Sequence, residues 1–314
     1  MKVGIIGVGA VGAASALALM QRGSAREIVL VDRDQKRAKA VAIDMRYGSP
    51  LSPTVDIRDG SYQDLGGAEL VMITAGVNEK AGGATDRNDP TGRLRLLDAN
   101  IPVFRDIVPQ VVAAAPNAVL MVVTDPPDPL ADLTRQLAGH DRVFSTGTVI
   151  DSMRFRVHLA EHLGVNPASV EAMAIGEHGT SEVLLWSSAT VAGMHVEEAY
   201  QKSNQPIAKL RQEVEGDVTY ANITIIEGNN ASQYGIGIVC ARLTEAVLRD
   251  ERSVFPVATH QQAYGVTLSL PSVVGRGGVI RTLETPMSAE ERTALEHSAE
   301  RLKTAAGRLQ IGAA

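Results

Sequence analysis

Cysteine is nearly absent from this chain: its 314 residues include one, Cys240, in the apolar run GIVCARL. A single thiol builds no disulfide framework, and these neighbours suit a packed core residue better than a nucleophile. Aromatic residues are scarce as well, at 4%, so the interior has to be filled mainly by aliphatic side chains. No apolar run approaches the ~18 residues needed to cross a bilayer. The glycine-rich start MKVGIIGVGAVG has no small-residue cleavage site. The cytoplasm is the expected location. Positive charge is not in excess either. The formal net charge is −6, which argues against nucleic acid or an anionic membrane as the partner, because both call for a basic face.

What remains is an ordinary globular balance, with 45% hydrophobic and 21% charged residues. In the first half, short runs rich in Val and Ile alternate with helical patterns. KVGIIGVG (2–9), EIVLVD (27–32), VDIRDG (55–60), ELVMITAG (69–76), AVLMVVT (118–124) and RVFSTG (142–147) read as strands. Several lack polar alternation, as strands buried on both faces should. AVGAASALALMQRG and IPVFRDIVPQVVAAAP read as helices between them. This alternation predicts an α/β fold, a doubly wound parallel sheet with right-handed crossovers. The second half mixes helices such as TVIDSMRFRVHLAEHLGV with shorter strands and Gly-rich turns. It ends in the amphipathic helix SAEERTALEHSAERLKTAAGRL, which opens on a Ser–Glu capping signal. The expected division is a Rossmann domain over 1–145 and an α+β substrate domain over 146–314.

Gly7-x-Gly9-x-x-Gly12 directly follows the first strand and opens a helix. Gly7 suits the tight turn, Gly9 lets the main chain approach a pyrophosphate, and Gly12 lets helix and strand pack closely. The helix start adds free N–H groups and the positive end of its dipole. Asp32 closes the second strand, where a carboxylate accepts from ribose hydroxyls and repels a 2′-phosphate. NAD is therefore the expected cofactor, and no metal is expected.

Three clusters point to chemistry. IGEHGTSEV sets His178 on a Gly-flanked turn. IDSMRFR spaces Asp151 and Arg154 three apart, on one helix face. NEKAGGATDRNDPTGR (78–93) is a long polar loop ending in Arg93, and long loops in compact domains are commonly functional. Singly, a structural histidine and a surface ion pair explain the first two equally well. Together with TAG (74–76), Asn100, VVTDP (122–126), GTVIDSMRFR (147–156) and ASQYGIG (231–237), they resemble the lactate/malate dehydrogenase family over nearly the whole chain. The resemblance leans toward lactate dehydrogenases through GEHG-x-SEV-x-x-W and SVFPV (253–257). It implies an NAD-dependent dehydrogenase of small (S)-2-hydroxy acids, most simply lactate, that forms a homodimer or homotetramer. It makes His178 the proton donor, Asp151 its orienting carboxylate, Arg154 the grip on the substrate carboxylate and Arg93 the polarising group on a closing loop. It also implies that Val11, Thr74, Ala75, Gly76, Asn100 and Val123 line the cofactor.

Three departures from the family pattern stand out. The loop before Arg93 is longer than usual. Counted from its left end, the substrate-selecting position falls on Glu79; counted back from Arg93, it falls on Arg87. The second register suits malate, and an unusual loop also leaves room for another 2-hydroxy acid. Asp125 stands where the family usually has Asn, and Ser232 where lactate dehydrogenases commonly have Thr in the pocket wall. NAD-dependent glycosidases share the fold but need a Cys/His metal site, which Cys240 does not supply. A non-enzymatic binding protein predicts decay at His178, Asp151, Arg154 or Arg93, and all four are present.

Overall fold

The computed structural model describes residues 1–82, 85–86, 92–201 and 206–309. The Val- and Ile-rich runs form β1 (Lys2–Ile6), β2 (Glu27–Val31), β3 (Asp56–Asp59), β4 (Leu70–Ile73), β5 (Val119–Val122) and β6 (Val143–Ser145). Helices α1 (Ala10–Arg22), α2 (Gln35–Gly48), α3 (Gly92–Ala114) and α4 (Pro127–Ala138) lie between them. The six strands run parallel in the order β6-β5-β4-β1-β2-β3. Every residue of β4 and β5 is buried, as uninterrupted apolar runs with helices on both faces require. The strand order reverses between β1 and β4, and in such sheets the crevice beyond the strand ends at that point takes the ligand.

The rest of the chain begins with α5 (Val149–Leu163), β7 (Val170–Glu171), β8 (Ala174–Ile175), β9 (Val183–Leu184), β10 (Thr190–Val191), β11 (Met194–His195) and α6 (Val196–Gln201). It continues through α7 (Ile207–Asn229), α8 (Tyr234–Leu248), β12 (Ser253–Phe255), β13 (Ala258–Gln261), β14 (Val266–Ser269), β15 (Ser272–Gly275), β16 (Gly278–Thr282) and α9 (Ala289–Ala306). Phe155 of α5 meets Trp186 edge to face at 5.0 Å, in a core shared with Leu210, Val214 and Val218 of α7. α8 lies along α1. Arg22 donates from Nε (2.9 Å) and Nη2 (2.8 Å) to Glu245. Cys240 is fully buried there, and burial pushes its thiol up to about 12, so it is a core residue and not a nucleophile.

The observed elements differ from the sequence expectation in four places. β13 and β14 form an antiparallel hairpin on the β6 edge of the large sheet, with Ala258 opposite Ser145. An antiparallel addition of this kind covers an edge that would otherwise expose unpaired main chain. The shorter strands expected in the second half are, between Val170 and Val191, only two-residue pieces. α3 starts at Gly92 rather than near 101, so Arg93 stands on its first turn. α4 lies in a proline-rich stretch to which the sequence expectation assigned no element. Pro127 opens it, where a missing N–H costs nothing, and Gly139 closes it in the left-handed region at φ 68°.

Candidate active site

The turn after β1 shows why the glycines are needed. Gly7 has φ +95°, and a Cβ there would lie 2.5 Å from the Ala75 main chain. A Cβ on Gly12 would lie 2.0 Å from the Gly7 carbonyl oxygen, so α1 can approach β1 this closely only with glycine at that position. Thr74 locks the two turns together, its hydroxyl donating to Gly7 O at 2.6 Å. Above them runs a groove of about 480 Å³ lined by Gly7, Gly9, Asp32, Tyr62, Thr74, Ala75 and Gly76, among others. A Cβ on Gly9 would meet nothing within 4 Å, so open space lies over the main chain where a pyrophosphate has to approach. Asp32 accepts the Val8 amide on Oδ2 (2.6 Å) and the Asp34 amide on Oδ1 (2.8 Å). Those bonds fix the carboxylate at the groove wall, and each oxygen keeps a lone pair for a ribose hydroxyl. The residues present fit a dinucleotide without a 2′-phosphate.

The groove is continuous with a second cavity of about 290 Å³, and Gly9, Thr74, Gly76 and Val77 line both. The second cavity is also lined by Val11, Glu79, Val123, Asp125, Ile150, Arg154, His178, Asn222 and Ser232. His178 stands between β8 and β9. Its Nδ1 is 2.6 Å from Asp151 Oδ2, and Asp151 itself is 1% exposed. The other oxygen of Asp151 accepts from Arg154 Nη1 at 2.8 Å. Asp151 thus holds the imidazole and the guanidinium together. Desolvation by itself would lower the pKa of His178, but the charge and hydrogen bond of Asp151, with help from Asp125, raise it to about 9. Burial likewise works against the Asp151 carboxylate, yet the charges of His178, Arg154 and Arg93 keep it below the usual carboxylate range.

Arg93 reaches in from the first turn of α3. Its Nη2 donates to Asp125 Oδ1 at 2.9 Å and to the main-chain oxygen of His178. The other Asp125 oxygen and Arg93 Nε are buried with no hydrogen-bond partner among the described residues. Asp125 Oδ1 also lies 4.0 Å from His178 Nε2. The carboxylate found in place of an amide is therefore an ion-pair partner at the centre of the site. Replacing it with Asn should lower the pKa of His178, because a nearby negative charge is lost and the Arg93 charge is no longer offset. The midpoint of a pH profile for ketone reduction should fall by at least about half a unit. An unchanged midpoint in the Asp125→Asn variant would contradict this.

Asn100 is fully buried. Its Oδ1 accepts from the Val77 amide (2.7 Å) and its Nδ2 donates to Asp125 O (2.9 Å). It ties the 77 and 125 segments together and reaches the cavity through them. Glu79 faces the cavity and accepts from Asn222 Nδ2 at 3.2 Å. Desolvation and then Asp125 raise its pKa. Arg87, the other candidate for substrate selection, lies outside the described residues. The sequence reading missed Asn222, and also Glu182, which desolvation and then the Asp151 charge push up to about 8 while Thr219 donates to it at 3.1 Å. It missed Asp128 as well, described below. None of the three was singled out, because their partners lie 17 or more residues away along the chain.

Residues 1–145 match the model of the lactate/malate dehydrogenase NAD binding domain, and residues 148–308 match that of the lactate/malate dehydrogenase alpha/beta C-terminal domain. The chain belongs to the lactate/malate dehydrogenase family. Its cofactor is NAD, in keeping with the groove and Asp32. Among curated relatives, the L-lactate dehydrogenase of Deinococcus radiodurans is 46% identical over 300 residues, covering 95% of this chain and 96% of that one. The L-lactate dehydrogenase of Thermus aquaticus is 45% identical over 318 residues, covering 98% and 99%. A crystal structure of the minor L-lactate dehydrogenase from Enterococcus mundtii in a ligand-bound form superposes with a TM-score of 0.91 at 33% identity, covering 99% of this chain and 98% of that one. Among the described residues, no His, Cys, Asp and Glu cluster able to hold a metal occurs in this family member, and no helix is long and apolar enough to cross a membrane.

Proposed function

We propose that the chain interconverts pyruvate and (S)-lactate with NAD. The observation that carries this reading is that His178 and Arg154 line one cavity opening into the dinucleotide groove, with Asp151 bonded to both and Arg93 bonded to His178 and Asp125. The names of the relatives point the same way. When bound, the reduced nicotinamide supplies the hydride to the carbonyl carbon. His178 Nε2–H gives its proton to the carbonyl oxygen, which leaves a secondary alcohol, and takes it back in the oxidation direction. Asp151 fixes the tautomer and stabilises the imidazolium. Arg154 holds the substrate carboxylate with the edge of its guanidinium not committed to Asp151. Arg93 stabilises negative charge growing on the carbonyl oxygen. Gly7, Gly9, Val11, Gly12, Asp32, Thr74, Ala75, Gly76 and Val123 form the cofactor site, with Asn100 holding two of its segments, and Ser232 forms part of the pocket wall. The same reading makes the chain a cytoplasmic homodimer or homotetramer.

Glu79 and Asp125 both face the cavity, so a second substrate carboxylate would meet like charge. Pyruvate should exceed oxaloacetate in kcat/KM, on the order of a thousandfold. The test is NADH oxidation by the purified protein with pyruvate, oxaloacetate and a panel of larger 2-keto acids. Preference for oxaloacetate would place Arg87 at the selecting position and make malate the substrate. Failure to turn over any 2-keto acid would overturn the reading.

A further inference from the structure

Asp128 is a charged residue that the reaction described above does not use. It lies in the first turn of α4 and is 1% exposed. Its Oδ2 accepts the main-chain N–H of His178 at 2.8 Å. Its Oδ1 accepts the hydroxyl of Ser145 at 2.8 Å. Ser145 ends β6, and its Oγ in turn accepts the Gly147 amide at 3.1 Å. Gly147 lies in the turn that leads into α5, the helix bearing Asp151 and Arg154. The two halves of the His178–Asp151 pair thus come from segments 27 positions apart; Asp128 bonds to the first directly and to the turn before the second through Ser145. One oxygen holds the main chain of His178, and the other seats the turn that launches Asp151.

We propose that Asp128 is a positioning residue for the dyad: its carboxylate clamps the His178 main chain to the Ser145–Gly147 turn and so sets the spacing of His178 and Asp151. The proposal rests on the dehydrogenase reading for its kinetic consequences, but not for its geometry. Other contacts also anchor these segments. Thr148 Oγ1 donates to Ala174 O (2.6 Å), and Gly176 pairs with Ser269 of β14. Those contacts carry no charge, whereas Asp128 adds a buried anion beside the imidazole. Burial pushes Asp128 up to about 6, against the pull of the His178 and Ser145 donors and the His178 charge, with Glu177 adding to the rise. At neutral pH the group is ionised, so both of its oxygens accept. The other charged groups around His178 are Glu177 beside it, Asp151 and Arg154 on α5, Asp125 after β5, Arg93 on α3 and Glu182 at β9.

The test uses two variants of the full chain, Asp128→Asn and Ser145→Ala. The first removes the charge at constant shape. The second keeps the charge and cuts the link to the α5 turn. Both should retain Tm and NADH affinity near the parent values. Both should lower kcat about 10- to 100-fold, the scale expected when a reacting group is displaced by a fraction of an ångström to one ångström. The His178 imidazole, titrated by NMR, should show a pKa lowered by about half a unit or more in Asp128→Asn. A purely structural role would leave that pKa unchanged. Folded variants with kcat within twofold of the parent and an unshifted His178 titration would overturn the proposal. If Asp128→Asn does not fold, a parent-like kcat in Ser145→Ala would overturn it alone. If the parent turns over no 2-keto acid, the dehydrogenase reading fails, and the NMR titration still decides the role of Asp128.

Discussion

Asp151→Asn should lower kcat for ketone reduction at pH 7 by about 10³- to 10⁴-fold, the range seen when a carboxylate orienting a catalytic imidazole becomes an amide. The reason lies in the balance of forces on His178. Desolvation favours the neutral ring, and the Asp151 carboxylate, with Nδ1 at 2.6 Å from Oδ2, reverses that preference and brings the pKa to about 9. Without the negative charge, desolvation and Arg93 act in the same direction and the pKa falls. The sign follows directly. In the parent, the proton needed for reduction is present below about pH 9 and lost above it. In the variant, the loss moves to lower pH, so acid should partly restore reduction. Oxidation needs the neutral ring, but it suffers too, because an amide can donate to Nδ1 and leave the proton on Nε2. The check is kcat against pH in both directions, with NADH affinity as control. Parent-like reduction at pH 7 would remove Asp151 from the mechanism.

Arg154→Lys keeps the charge and should still lower kcat/KM for pyruvate about 100- to 1,000-fold, the loss of one or two charge-assisted hydrogen bonds. Arg154 already commits Nη1 to Asp151 at 2.8 Å, and its side chain is 13% exposed. A planar guanidinium can serve that carboxylate with one nitrogen and the substrate carboxylate with the others. An ammonium is a single point of charge on a flexible stem. It has to choose between the two anions, and Asp151 is the nearer and the more deeply buried. Most of the loss should appear in KM, because the substrate carboxylate is gripped before and during the reaction alike. A loss confined to kcat, with KM unchanged, would place the substrate carboxylate elsewhere.

The parts of the site that were legible in the sequence share a property: their spacing is local. Gly7, Gly9 and Gly12 lie on one turn and Asp32 closes the next strand, so the cofactor site could be read within 26 residues. Asp151 and Arg154 share a helix face, and His178 lies on a marked turn. Asp128 could not be read this way. It is part of DPPDPL, which looks like loop because proline is a poor helix interior residue, and its partner His178 is 50 positions away. The registers of the long loop gave Glu79 or Arg87, because a loop fixed only by its ends has no internal period. In the fold, Glu79 faces the cavity beside Asn222, and Arg87 lies outside the described residues. The run holding β14 reads as strand, but its pairing with β13 on the β6 edge was not anticipated, for a related reason. Short strands of this kind fit any sheet, and only the open edge of β6 selects the one they join.

The Arg93–Asp125 pair means that the central cation of the site is already matched by an anion of the same chain. The guanidinium that a reacting carbonyl would require already holds an anion of its own, at 2.9 Å. Its Nε, buried with no hydrogen-bond partner among the described residues, remains beside that contact. Arg93 is never left bare in a desolvated setting, where an uncompensated charge costs several kcal/mol. The chain thus carries the counter-ion of its own central cation, and the charge of the guanidinium is offset from within.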